Sequence, residues 1–138
     1  MKSESTRIFV YGTLKPGTSN YFKYCQGRVI AQTSAYTWGE LYALPVGYPA
    51  MTEGTNKVKG VLLTFDDPEI LVSLDSLEGY QKNRAPELNE YDRRWIAAYD
   101  AGDRLINHAW AYYMTDHKIS QYQGVKLTSG YWHGNKSS

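Results

Sequence analysis

The sequence predicts an α+β fold in which strands dominate, and three observations carry that expectation. Runs rich in β-branched and aromatic residues recur between clusters of Gly, Pro, Asn and Asp. One stretch, and one only, has clear helical periodicity. A length of 138 residues with 42% hydrophobic content suits one globular domain with a real core, taken as residues 1–138 with 134–138 as a flexible tail.

The first strand holds Ile8, Phe9 and Val10, residue types that favour extended backbone. It stops at Tyr11-Gly12, where a polar, glycine-punctuated loop begins. Tyr21 to Cys25 suits a short helical turn. Val29 to Thr33 and Ala35 to Leu44 read as two strands, the second alternating Tyr36, Trp38, Glu40 and Tyr42 against Thr37, Gly39, Leu41 and Ala43. Pro45, Gly47 and Pro49 then break the pattern and predict a long loop from Leu44 to Asn56 that closes over a pocket. Lys57 to Phe65 is a further strand. Asp92 to Tyr99 and Arg104 to Met114 form a hairpin across Asp100-Ala101-Gly102-Asp103.

The helix runs from Pro68 to about Glu78, with Asp67 as N-cap, Pro68 at its first position and Gly79 as its stop. At about 100° per residue, Ile70, Leu71, Leu74 and Leu77 share one apolar face, while Glu69 and Ser76 point away. Glu78 projects about 50° from the middle of that face. A carboxylate so aimed loses hydration and sits at the negative end of the helix dipole, and both effects raise its pKa. Such a group can take and return a proton near neutral pH. Helical geometry alone leaves open a second reading, in which the helix end frays and Glu78 bends out to water.

Composition narrows the chemistry further. A formal net charge of +1 with scattered basic residues gives no stripe for nucleic acid. The 13 tyrosines are better used in packing and pocket lining. No apolar run approaches the ~20 residues of a membrane span, and the polar start MKSESTR predicts a soluble, unexported, cytoplasmic protein. Cys25 is the single cysteine, so neither an internal disulfide nor a multi-cysteine zinc site can form. His108, His117 and His133 lack ligand spacing and read as surface or packing residues.

The loop after the first strand offers Gly12, where a ligand can approach the backbone, and amides of Gly12, Thr13 and Leu14 that can converge on an anion. The same residues also describe a strand followed by an ordinary turn. Lys15 reads as a solvated loop lysine, with attraction of an anionic substrate as the alternative. Asp75, one turn before Glu78, is expected to be structural and bonded to backbone or a nearby Arg.

YGTLKPG at Tyr11 to Gly17 with Asn20, LDSLEGY at Leu74 to Tyr80 and Tyr91-Asp92-Arg93 together resemble the γ-glutamylcyclotransferase-like superfamily of AIG2-like proteins and γ-glutamylamine cyclotransferases. Ser129 to Trp132 resembles its closing segment. Thr13 departs from the serine common there, and the loop from Gln81 to Glu90 is longer than in compact members, which bears on the pocket mouth and on Tyr91. The resemblance implies a small mixed β-barrel flanked by short helices. Its reaction converts a γ-glutamyl amine or small γ-glutamyl peptide to 5-oxoproline without cofactor or metal. Glu78 would be the acid/base, and Tyr11, Gly12, Thr13, Leu14 and Tyr91 would bind the substrate. A small-molecule-binding or regulatory domain that keeps the pocket without turnover is the alternative, and the oligomeric state stays open.

Overall fold

Alternation along the first strand divides the interior in two. In the computed structural model, which describes residues 5–12, 14, 15, 18 and 20–132, strand β1 is Thr6–Val10. Ile8 and Val10 pack with Ile70, Leu74 and Ile119 from the two helices. Phe9, and Tyr11 just beyond the strand, face Leu41, Met51, Val58, Leu62 and Tyr113 on the other side. Opposite faces of one strand thus serve two cores, as a side-chain period of two requires.

A long hairpin follows a single π-helical turn at Tyr21–Cys25: β2 is Val29–Ala43 and β3 is Pro49–Phe65, antiparallel along their length. The two strands predicted for residues 29–44 are one. Of the loop expected from Leu44 to Asn56, five residues remain as a turn, closed by the Leu44 N–H on Tyr48 O at 3.0 Å. Pro49 stands at the first position of β3, a place where a missing N–H is tolerated. Ala50, Met51 and Thr52 are buried, so pairing and burial override the local Pro and Gly signals. A register shift lets Gly39 pair with Asn56 and Glu40 with Thr52. Glu40 closes this irregularity by accepting from Asn56 Nδ2 at 2.7 Å and the Thr55 N–H at 3.3 Å.

The predicted second hairpin forms from β4 (Asp92–Tyr99) and β5 (Leu105–Tyr113), and β6 (Val125–Lys126) adds to β2. Strand pairings run β1–β3–β2–β4–β5 and return to β1, the last step parallel through Ile8 and Trp110 and the β2–β4 step through Tyr36 and Tyr99. This circuit has the mixed pairing expected of the small barrel. Ala98, Ala109 and Ala111 leave room inside it for Phe9, Leu41 and Met51. Trp132 joins the same interior from a segment anchored by the Lys59 N–H on Gly130 O.

Helix α1 is Ile70–Leu77, two residues shorter at its start than predicted. The N-cap position is Glu69, not the expected Asp67, and it has no side-chain cap; Asp67 Oδ1 accepts from the Glu69 N–H at 3.0 Å, and the Ile70 and Leu71 amides bond to Asp67 O and Pro68 O, so the turn leading into the helix is tighter than α. At its other end the Tyr80 N–H reaches Asp75 O at 2.9 Å and the Gly79 N–H reaches Ser76 O at 3.3 Å. That pair of bonds is a Schellman ending, with Gly79 at φ +68°. The second helix, α2 (Asp116–Gln121), starts at Thr115, whose Oγ1 accepts from the Lys118 N–H at 3.1 Å. No helix among the described residues is long and apolar enough to cross a membrane. The tail 134–138, Thr13 and His133 lie outside the described residues.

Gly79 is the residue on which the helix ending depends. A Cβ there would lie 2.9 Å from Glu90 Cβ on a backbone that disfavours L side chains. Gly79→Ala is expected to lower stability by about 1–2 kcal/mol, read as a fall in the urea midpoint at unchanged m value.

Candidate active site

The turn after β1 brings the Lys15 N–H onto Gly12 O at 2.9 Å and presents Tyr11, Gly12 and Leu14 to a cavity of about 220 Å³. Its other walls come from Phe9, Val10, Asn20, Tyr48, Pro49, Leu77, Glu78, Glu90, Tyr91 and Tyr112. Five of the six predicted site residues therefore meet in one cavity, and the sixth, Thr13, is among those not described.

Glu78 is the C-cap of α1, and backbone bonds beyond the helix hold it against the start of β4. The Tyr91 N–H donates to Glu78 O at 3.2 Å and the Glu90 N–H to Gly79 O at 3.1 Å. Helix end and strand entry are thereby sewn together, so Glu78 turns into the cavity rather than out to water. Burial, and secondly the charge of Glu90, push its carboxyl up from 4.5 to about 7.

The tyrosines around it are fixed through their hydroxyls. Tyr11 donates to Tyr112 O at 2.7 Å, and Tyr91 donates to Pro49 O at 2.6 Å. Tyr112 donates in turn to Asp75 Oδ1 at 2.7 Å. Burial drives the phenols of Tyr11, Tyr91 and Tyr112 well above their ordinary range, so they stay neutral donors and offer the cavity their rings. Asp75 is structural, as expected: besides Tyr112 it holds Arg93 Nη1 at 3.0 Å. Arg93 lies over the rings of Tyr80 and Trp110 and acts on the cavity through Asp75. Burial raises the Asp75 carboxyl, against the lowering effects of the Tyr112 bond and Arg93.

Two expectations need correction. Lys15 is not a solvated lysine. It is 7% exposed, its Nζ donates to Trp132 O at 2.5 Å and it sits 3.7 Å from the Tyr131 ring centroid. Its ammonium anchors the closing segment instead of facing a substrate. Gly12 borders the cavity as predicted, but what occupies the space of its absent side chain is the Pro49 ring, whose Cγ would lie 2.5 Å from a Cβ. The two free histidines that are described are exposed, and His108 stacks on Trp95.

Sequence reasoning missed Glu90 and the two hydroxyls that hold it. Glu90 Oε2 accepts from Tyr48 at 3.1 Å and Tyr122 at 2.5 Å. The loop before it is pinned by the buried Asn89, whose Oδ1 accepts from the Gln81 N–H at 3.0 Å and Arg84 Nε at 2.7 Å. This loop, longer than in compact members of the family the chain resembles, delivers a second carboxylate to the cavity.

Comparison with known proteins shows the family of the chain. The family described as "Gamma-glutamyl cyclotransferase, AIG2-like" matches residues 8–134, and the chain belongs to that family. It is 31% identical over 100 residues to a Vibrio cholerae protein named "Putative gamma-glutamylcyclotransferase", a match covering 71% of this chain and 85% of that protein. In fold it is similar to YkqA from Bacillus subtilis, with a TM-score of 0.64 and 21% identity over 94% of this chain and 40% of that one. It is also similar to ytfP from Escherichia coli, with a TM-score of 0.56 and 26% identity over 93% of this chain and 96% of that one.

The raised pKa of Glu78 makes stability depend on pH. From about 4.5 to about 7 the folded carboxyl keeps a proton that the unfolded chain has released, so stability falls as pH rises through that window. Glu78→Gln removes the dependence. Relative to wild type, the variant should gain about 1–3 kcal/mol on going from ~pH 4 to ~pH 8, measured by urea unfolding at both values.

Proposed function

We propose that this chain is a γ-glutamyl cyclotransferase that works without a cofactor, converting a γ-glutamyl amine or small γ-glutamyl peptide to 5-oxoproline and the free amine or amino acid. One observation carries the reading: a carboxylate whose proton is balanced near neutral pH sits in a cavity with the loop after β1. In the reaction the substrate's α-nitrogen attacks its own γ-carbonyl carbon. A ring C–N bond forms and the C–N bond to the leaving amine breaks. Glu78 as carboxylate takes a proton from the α-ammonium and, as acid, gives it to the departing nitrogen.

Ring closure is intramolecular, so orientation supplies much of the acceleration. Phe9, Tyr11, Tyr48 and Tyr91 wall the cavity and restrict the substrate's conformers. In this reading backbone amides of the loop after β1 meet the oxyanion that develops on the γ-carbonyl, a contribution of about 3–4 kcal/mol in comparable sites.

The test is 5-oxoproline release from γ-glutamyl amines, γ-glutamyl dipeptides and glutathione, with Glu78→Gln beside the wild type. Loss of about 10²–10⁴-fold in kcat/KM is expected for the variant. In the wild type kcat/KM should fall as pH drops below about 7, because the protonated acid cannot accept the α-ammonium proton. Absence of release from every compound, or a Glu78→Gln enzyme as active as wild type, would overturn the assignment.

A further inference from the structure

Four phenols among the described residues line the cavity that holds Glu78, and each gives its hydroxyl proton to another acceptor. Tyr11 donates to Tyr112 O, Tyr91 to Pro49 O, Tyr48 to Glu90 Oε2 and Tyr112 to Asp75 Oδ1. A hydroxyl has one proton to give, so none of the four has one left for the Glu78 carboxyl.

Asp75 differs from the other three acceptors in its position. It stands three residues before Glu78 along α1 and its C-cap, a spacing that sets Cβ atoms about 5–6 Å apart. The Tyr112 hydroxyl, 2.7 Å from Asp75 Oδ1, therefore lies beside the helical turn that carries both carboxyls. The charge of Glu78 is among the causes that hold this phenol neutral.

Pairing in the second hairpin decides how Asp75 is occupied. Its register sets Arg93 of β4 directly opposite Tyr112 of β5, so the two side chains approach Asp75 from one face of the sheet. Arg93 Nη1 holds Oδ2 at 3.0 Å, which leaves Oδ1 for Tyr112. The guanidinium is itself packed over the rings of Tyr80 and Trp110, and this fixes the carboxylate it holds.

We propose that Asp75 is a positioning residue for the reaction: held by Arg93, it draws the Tyr112 hydroxyl proton away from Glu78 and leaves the acid/base carboxyl without that donor. The proposal rests on the cyclotransferase reading of Glu78. A phenol donating to Glu78 would stabilise its charged form and make it a weaker base. The titratable groups that border the cavity with Glu78 are Glu90 and Tyr91 at the entry to β4, Tyr11 after β1, Tyr48 before β3 and Tyr112 on β5. Of these, Tyr112 alone has its acceptor on the helix of Glu78.

The test follows Glu78 itself, by NMR titration of protein labelled with carbon-13 at the glutamate carboxyls, the signal being assigned by its loss in Glu78→Gln. The pH profile of kcat/KM for 5-oxoproline release is measured beside it. Asp75→Ala releases Tyr112, and the Glu78 midpoint should move down from about 7 by about one pH unit, with the acid limb of kcat/KM following it. Adding Tyr112→Phe should return the midpoint to the wild-type value. If Asp75→Ala folds poorly by circular dichroism, Asp75→Ala/Arg93→Met leaves no unpaired guanidinium and should show the same fall, again reversed by Tyr112→Phe. Tyr112→Phe alone, the mildest change, should leave the midpoint in place. An unchanged midpoint without Asp75 overturns the proposal, as does a fall that persists when Tyr112→Phe is added, because loss of the Asp75 charge then explains it. A midpoint that rises in Tyr112→Phe alone also overturns it, since the phenol would already be donating to Glu78. The expected midpoints without 5-oxoproline release from any protein would leave this proton arrangement standing and remove the cyclotransferase reading.

Discussion

Everything in the cavity depends on two backbone hydrogen bonds between the end of α1 and the entry to β4. They join Glu78 to Tyr91 and Gly79 to Glu90, and so bring the Glu78 side chain to one wall with those of Glu90 and Tyr91, more than a helix's length further along the chain. Glycine at φ +68° is what lets the helix stop abruptly enough for that pairing. Without it the helix would fray, and the carboxylate would recover its water. The pairing therefore converts a local feature of the chain, a helix ending, into an electrostatic one, a carboxyl that titrates at about 7.

The rest of the site surrounds that carboxyl with hydroxyls that have partners of their own, while Arg93 Nε is buried without one among the described residues. Tyr11 and Tyr91 each give a hydroxyl proton to a backbone carbonyl, and Tyr112 gives one to Asp75. Neutral phenols suit this position because they satisfy an acceptor at one end and present an apolar ring at the other. Asp75 itself is steadied by Arg93, which in turn lies over two aromatic rings. Charge is thus passed outward from the cavity and settled at the half-buried margin of the sheet.

Local signals in the sequence were enough for much of this. The period of α1 and its Gly79 stop place Glu78 at the helix end, and the β4–β5 hairpin follows from its alternation and turn. Pairing partners are a different matter. Residues 49–56 carry Pro and Gly that predict a loop, and only the long partner strand β2 and the burial of Met51 show why they extend. Burial of Lys15 depends on Trp132, 117 residues away, and Glu90 is oriented by tyrosines 42 and 32 residues away. No window along the chain contains those contacts, so no reading of windows could place them.

The segment between Tyr80 and Asn89 leaves and returns to the same backbone clasp, and Arg84 and Asn89 gather it on the way. Its two ends are fixed to each other independently of what lies between. Lengthening such a closed excursion costs little, since closure entropy grows only with the logarithm of length. Evolution can therefore lengthen, shorten or recompose this stretch, and with it the rim of the cavity, while the Glu78 carboxylate keeps its place. Diversification of the cavity's rim is separated, in the architecture itself, from preservation of the carboxylate inside it.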